Sequence, residues 1–204
     1  MKKLILSFMV VGACSLAHAT VINAPASLVG NNVLDGNDAY QWGVSINTGG
    51  QTINFAELTF TSVELTAANS SGIGYLYTDL LKLNTTGVKT DVDNDAAGDY
   101  FTSALPATSV TSLGNEKFGK VGDTLTWNII LTTAELAALN SYVALGTLSI
   151  GFDPDCHYNV GGISLTYTTT TPHTSVPDYG MTLVLLGISL CGLELARRKF
   201  VLAK

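Results

Sequence analysis

The chain has 204 residues, of which 13% are charged, with ten Lys/Arg against sixteen Asp/Glu and a formal net charge of -6. Six of the basic residues sit near the ends (Lys2, Lys3, Arg197, Arg198, Lys199, Lys204), so the body keeps only Lys82, Lys89, Lys117 and Lys120 against fourteen carboxylates, a net charge near -10. That balance provides no phosphate-tracking groove and excludes nucleic acid, leaving cations or neutral glycans as the natural partners.

Met1 to Ala19 has the make-up of a secretory signal peptide: Lys2 and Lys3, an apolar stretch from Leu4 to Leu16, then Ala17-His18-Ala19 as a small-residue cleavage site before Thr20. A second reading competes over the same residues, because Val11-Gly12-Ala13-Cys14 resembles a bacterial lipobox, in which Cys14 is lipidated and becomes the first residue. Both readings export the chain. Cys14 belongs to the leader and Cys191 to the tail, so Cys156 is the one cysteine of the processed body, which therefore has no intramolecular disulfide.

From Val21 to Gly36 the chain is punctuated by Asn, Gly and Pro. Strands are then expected at Tyr40 to Ile46, with Tyr40, Trp42, Val44 and Ile46 on one face, and at Thr52 to Thr66. In the latter the apolar phase changes between Phe60 and Val63, which signals two strands or a bulge. Gly74 to Leu83 is a further strand, Asn84 to Asp99 reads as an acidic loop, and Thr108 to Leu113 and Thr124 to Leu131 are strands. Thr132 or Thr133 caps the one convincing helix, Ala134 to Leu139, with Glu135 in its first turn. Strands resume at Tyr142 to Phe152 and Gly162 to Thr168. Many short strands with one short helix predict an all-β fold, an antiparallel β-sandwich of jelly-roll type, over residues 20–167. A Thr-rich linker, 168–175, follows.

Two polar constellations stand out. In Asp91-Val-Asp93-Asn-Asp95-Ala-Ala-Gly-Asp99 alternate carboxylates converge on one side of a loop, and a hard cation would relieve their repulsion, so calcium is the one cofactor the sequence suggests. The EF-hand pattern is not met, since Ala96 and Thr102 stand where Gly and Glu are required, and a solvated acidic turn explains the same residues. The second constellation is Gly151-Phe-Asp153-Pro154-Asp155-Cys156-His157-Tyr158, whose two carboxylates, thiol and imidazole suggest a transition-metal site or a Cys/His nucleophilic pair, but a metal site would need further soft ligands and the body has none. Adjacent Cys156 and His157 point to opposite faces if extended, which argues against a nucleophilic pair; a turn with Asp153 and Asp155 capping amides and Cys156 packed inside is the simpler account. No catalytic motif occurs, so no catalytic residue is assigned.

The last segment, 176–204, has three parts: Val176-Pro177-Asp178, then an apolar run that with Leu195 and Ala196 makes a transmembrane helix over 179–196, then Arg197-Arg198-Lys199. This order resembles the PEP-CTERM sorting signal read by exosortases of Gram-negative bacteria, with Val176-Pro177-Asp178 in place of its Pro-Glu-Pro, Gly180 completing the sorting motif, and Arg197, Arg198 and Lys199 as its basic stop. The resemblance covers about thirty residues. It implies export, transient anchoring in the inner membrane, cleavage by exosortase near Pro177 and Asp178, and release or attachment at the cell surface, alongside exopolysaccharide in a biofilm. The body is expected to be a non-catalytic surface or matrix domain. Its rivals are a carbohydrate-binding module, which needs exposed aromatics such as Trp42 and Trp127, and a secreted glycan hydrolase, which needs two facing carboxylates in a groove.

Overall fold

The computed structural model describes residues 19–68, 72–93 and 98–170, and Gly187 singly. The leader before Ala19, the sorting motif, the apolar run 179–196 and the basic stop lie outside the described residues, among which no helix is long and apolar enough to cross a membrane. Ten strands follow in order: β1 (Ala19–Asn23), β2 (Gly30–Leu34), β3 (Asp38–Gly43), β4 (Thr52–Ala67), β5 (Gly74–Lys82), β6 (Val88–Val92), β7 (Val110–Phe118), β8 (Thr124–Ile130), β9 (Leu148–Pro154) and β10 (His157–Thr170). Helix α1 (Tyr100–Ala104) lies between β6 and β7, and helix α2 (Thr133–Leu145) between β8 and β9.

All strand pairs are antiparallel, and they form two sheets. In the first, β10 is flanked along its length by β4, with β8 beyond; its other edge is shared by β1, opposite Ser164 to Thr168, and β2, opposite Tyr158 to Val160. The second sheet runs β6-β3-β9-β5-β7. Alternation turns Leu58, Phe60, Leu165 and Tyr158 of the first sheet and Trp42, Leu76, Leu80 and Phe152 of the second into one core. Phe60 meets Phe152 edge-on with ring centroids 5.5 Å apart, and Phe118 meets Tyr158 at 5.0 Å.

Several expected boundaries move. The phase change in β4 is a bulge: the strand is continuous, Ser62 takes φ 50°, and the register against β8 shifts between Phe60 and Val63. Gly161 faces this bulge, and a Cβ there would stand 2.8 Å from Ser62 Cβ. α2 continues to Leu145, so the strand expected from Tyr142 starts at Leu148. Packing overrides the β-forming residues there: Leu139 and Tyr142 are buried, and Gly146 ends the helix at φ 65°. Thr132 and Glu135 form the reciprocal capping box that starts it.

The segment read as an acidic loop contains β6, an edge strand whose polar residues pair along β3, and it leads into a second helix, α1, where a single helix was expected. β1 and β2 likewise occupy the stretch read as punctuated chain, and β10 runs to Thr170, three residues into the expected linker.

Candidate functional site

The outward face of the second sheet is unusual because it is acidic and yet covered. Alternation that sends Tyr40, Trp42, Ile150, Phe152, Leu76 and Leu80 inward sends Ala39, Gln41, Gly151, Asp153, Tyr77, Asp79 and Leu81 outward. The registers place Gln41 beside Gly151, Gly151 beside Asp79 and Asp79 beside Ser112 in one row; Asp153 is beside Tyr77 in the next. Gly151 leaves a gap in this face. Phe101 of α1 fills it, since a Cβ at 151 would come within 2.7 Å of the ring, and Phe101 makes a second small core with Ala39 and Leu81.

Carboxylates hold the covering helix. Asp99 Oδ1 accepts from the backbone N–H groups of Phe101 (3.2 Å) and Thr102 (3.3 Å), and Asp153 Oδ2 accepts from the N–H of Tyr100 at 2.7 Å. Asp79 has no such role. It is fully buried, and neither of its oxygens has a hydrogen-bond partner; Asp99 and Ser112 approach it without reaching hydrogen-bond geometry. Asp153 Oδ1 and Asp155 Oδ1 are likewise buried and unbonded.

Burial, reinforced by the Asp99 and Asp153 charges, pushes the Asp79 carboxyl up to about 8. Burial raises Asp153 to about 7, with Asp93, Asp155 and Asp99 adding to the rise and the Tyr100 amide opposing it. Asp155 rises to about 6 through burial and the nearby Asp93. Tyr77 is raised by burial and by Asp155, Asp153 and Asp99, which puts its ring beside the same group.

Of the four carboxylates that the sequence offered to calcium, Asp93 and Asp99 join this cluster. Asp95 lies outside the described residues. Asp91 is engaged elsewhere, with Lys89 Nζ 2.8 Å from its Oδ1 and Gln41 Nε2 donating to its Oδ2 at 2.6 Å. The members that sequence reasoning missed are Asp79 as a site residue and Asp153 and Asp155 as its neighbours. The one available signal was a charged residue inside the apolar strand Tyr77-Thr-Asp79-Leu-Leu81. Among the described residues no three His, Cys, Asp or Glu side chains stand, as placed, where they could hold a metal ion.

The Asp153 to His157 run forms the expected turn, but of the two carboxylates expected to cap amides Asp153 does so, whereas Asp155 Oδ1 is buried and unbonded. Asp153 caps an amide 53 positions away rather than in its own turn. Cys156 is buried and its thiol donates to the Ile73 carbonyl at 3.5 Å, while His157 turns the other way, its Nδ1 3.3 Å from Asp35 Oδ1. They form no nucleophilic pair. Trp42 is 3% exposed in the core, and Trp127 lies against that core, stacked on Phe60 at 5.2 Å. A concavity of about 420 Å³ opens on the outer face between β6 and α1, walled by Gln41, Lys89, Asp91 and Tyr100. Asp79, Asp153 and Asp155 do not line it.

Comparison of the chain with protein-family models, with curated proteins and with solved structures gives no match.

Proposed function

We propose that the protein is exported and sorted by an exosortase to the cell surface or extracellular matrix, where a non-catalytic β-sandwich works in association with exopolysaccharide. The carrying observation is the three-part tail, Val176-Pro177-Asp178 followed by an apolar run that is uncharged from Tyr179 to Leu193 and then by Arg197-Arg198-Lys199, at the far end from a Lys-started leader. The layout of the sandwich supports it. Every described strand lies within residues 19–170, so cleavage before Thr20 and near Pro177 would cost the fold one residue of β1, Ala19. The acidic body suits an environment of cations and neutral glycans.

The strand orders favour the jelly-roll form of the sandwich. With β1 and β2 sharing the first position and β6 added at an edge, the remaining order is first-eighth-third-sixth in one sheet and second-seventh-fourth-fifth in the other. The glycan-hydrolase alternative asks for paired carboxylates open to a groove, and Asp79 and Asp153 are fully buried. The aromatic platform of a carbohydrate-binding module is not supported by Trp42 and Trp127, both of which pack on the core.

The test is the intact mass of the protein recovered from the outer fraction of its native host. A chain starting at Thr20 and ending near Pro177 or Asp178 is expected. A C-terminus at Lys204 would mean a plain membrane anchor and would end the exosortase reading; a start at lipidated Cys14 would replace the signal-peptidase cut.

A further inference from the structure

We propose that the concavity between β6 and α1 binds neutral sugar residues of a polysaccharide, with Gln41, Asn84 and Asp91 bonding their hydroxyls and Tyr100 packing on a ring. This names a site for the association with exopolysaccharide proposed above and rests on that reading, though not on the sorting signal. Two independent observations carry it. The first is charge. In a body with a net charge near -10, the charged side chains of this concavity are Lys89 and Asp91, and they neutralise each other at 2.8 Å. A charged ligand meets no net opposite charge there, whereas sugar hydroxyls meet both donors and acceptors. The second is a polar network that is already built. Gln41 is 5% exposed and its amide is fixed at both ends: Nε2 donates to Asp91 Oδ2 at 2.6 Å, and Oε1 accepts from Thr85 Oγ1 at 3.1 Å. Lys89 Nζ also donates to Asp91 Oδ2, at 2.9 Å. Gln41 and Lys89 stand opposite each other across β3 and β6, and Asp91 follows two residues on, so all three belong to one face of the sheet. Their orientation is set in advance, which lowers the entropy lost on binding.

The inventory of groups selects the ligand. An amide nitrogen has two hydrogens and a carboxylate about four acceptor positions, so Gln41 and Asp91 keep capacity beyond their mutual bond. Asn84 is exposed, and among the described residues neither its side chain nor the Tyr100 hydroxyl makes a hydrogen bond. Tyr100 is half-buried and held edge-on to Phe101 with ring centroids 5.2 Å apart, which makes it a fixed aromatic wall. Leu83 and Leu105 add apolar surface that suits the C–H faces of a pyranose. The volume, about 420 Å³, falls within the range of small-ligand clefts, roughly 300–1,000 Å³. Such a cleft needs no flat tryptophan platform, which Trp42 and Trp127 do not provide.

The experiment is retention of the full-length chain on beads bearing exopolysaccharide from its native host and, in parallel, on beads bearing the neutral polymers dextran, galactomannan or mixed-linkage glucan. Retention is expected on the host polysaccharide and on at least one neutral polymer, and it should survive a wash in about 0.5 M NaCl, which screens contacts between exposed charges. Tyr100→Ala should weaken binding roughly tenfold and Asn84→Ala roughly threefold. The Tyr100 N–H keeps its bond to Asp153 in the first variant; should that variant not fold, the exposed Asn84→Ala still decides. Tyr75→Ala, which removes the ring stacked on Tyr77 outside the concavity, should bind as the parent does. Equal retention of parent, Tyr100→Ala and Asn84→Ala on the host polysaccharide overturns the site and leaves the association with exopolysaccharide standing. Retention on a neutral polymer that Tyr100→Ala and Asn84→Ala weaken, with none on the host polysaccharide, keeps the site and overturns the association. Loss of all retention in salt overturns the neutral-sugar assignment, and no retention on any polymer overturns both readings.

Discussion

Gly43, at the end of β3, shows how closely the chain approaches itself around the acidic face. A Cβ added there would stand 1.7 Å from the carbonyl oxygen of Thr85, and the Gly43 N–H donates to Gly87 at 2.8 Å. The obstruction is backbone, which no side-chain rotation relieves. Gly43→Ala is therefore expected to destabilise the protein by about 3 kcal/mol or more, seen as a lowered urea midpoint; an unchanged midpoint would show that the 84–87 segment yields easily. None of this is legible in the sequence, where Trp42-Gly43-Val44 reads as a plain strand. Asp79 was partly legible, as a charge among leucines. What that charge meets was not, because Asp99 and Asp153 come from other elements. Asp153 was read as a cap and is one, yet its partner Tyr100 could only be known once β9 lay under α1.

Among the elements, α2 divides cleanly into what local chemistry announces and what it does not. Thr132 and Glu135 mark its start in the sequence, and they form the capping box. Its end was misplaced because Tyr142 and Val143 favour strands locally, whereas burial of Leu139 and Tyr142 keeps them helical. Its docking is fixed by Asn140, whose amide accepts from Ile53 N–H and donates to Ile53 carbonyl, both at 2.9 Å. This pair continues the ladder of β4 sideways onto the helix. Asn140→Ala leaves two partly buried backbone groups unpaired and should cost about 2–3 kcal/mol in equilibrium denaturation. A loss below about 0.5 kcal/mol would mean that water replaces the amide. β6 and α1 escaped the sequence reading for a different reason: each is five residues long, too short for a period to show.

For the whole molecule, the buried carboxyls set how stability follows pH. Asp79, Asp153 and Asp155 have folded-state values raised to about 8, 7 and 6, above the roughly 3.9 of an unfolded Asp. Between these limits the folded chain holds more protons than the unfolded one, so the contribution is complete below about pH 4 and is lost progressively up to about pH 8. In chelator-treated protein the urea midpoint should be lower at pH 8.5 than at pH 6, by a difference on the order of a few kcal/mol in free energy, and Asp79→Asn should flatten the dependence. A midpoint that does not move would mean that the carboxyls are better solvated than the fold implies. The two-sheet sandwich itself was legible, because alternation such as Leu125, Trp127, Ile129 and Leu131 commits a strand to one buried face. Strand neighbours were not, since any of several partners would bury the same faces.

The position of β10 governs when the fold can exist at all. It comes last among the described strands, yet in its sheet it is the partner of β1, β2 and β4. A chain emerging from a ribosome or a membrane channel can close its second sheet once β9 appears, but the first has no centre until residues 157–170 arrive. Partial chains thus keep β1, β2 and β4 unpaired on that side, and the decisive pairings span more than a hundred residues, which favours slow folding that begins late. Such an order of assembly keeps the polypeptide threadable until its last described strand has emerged.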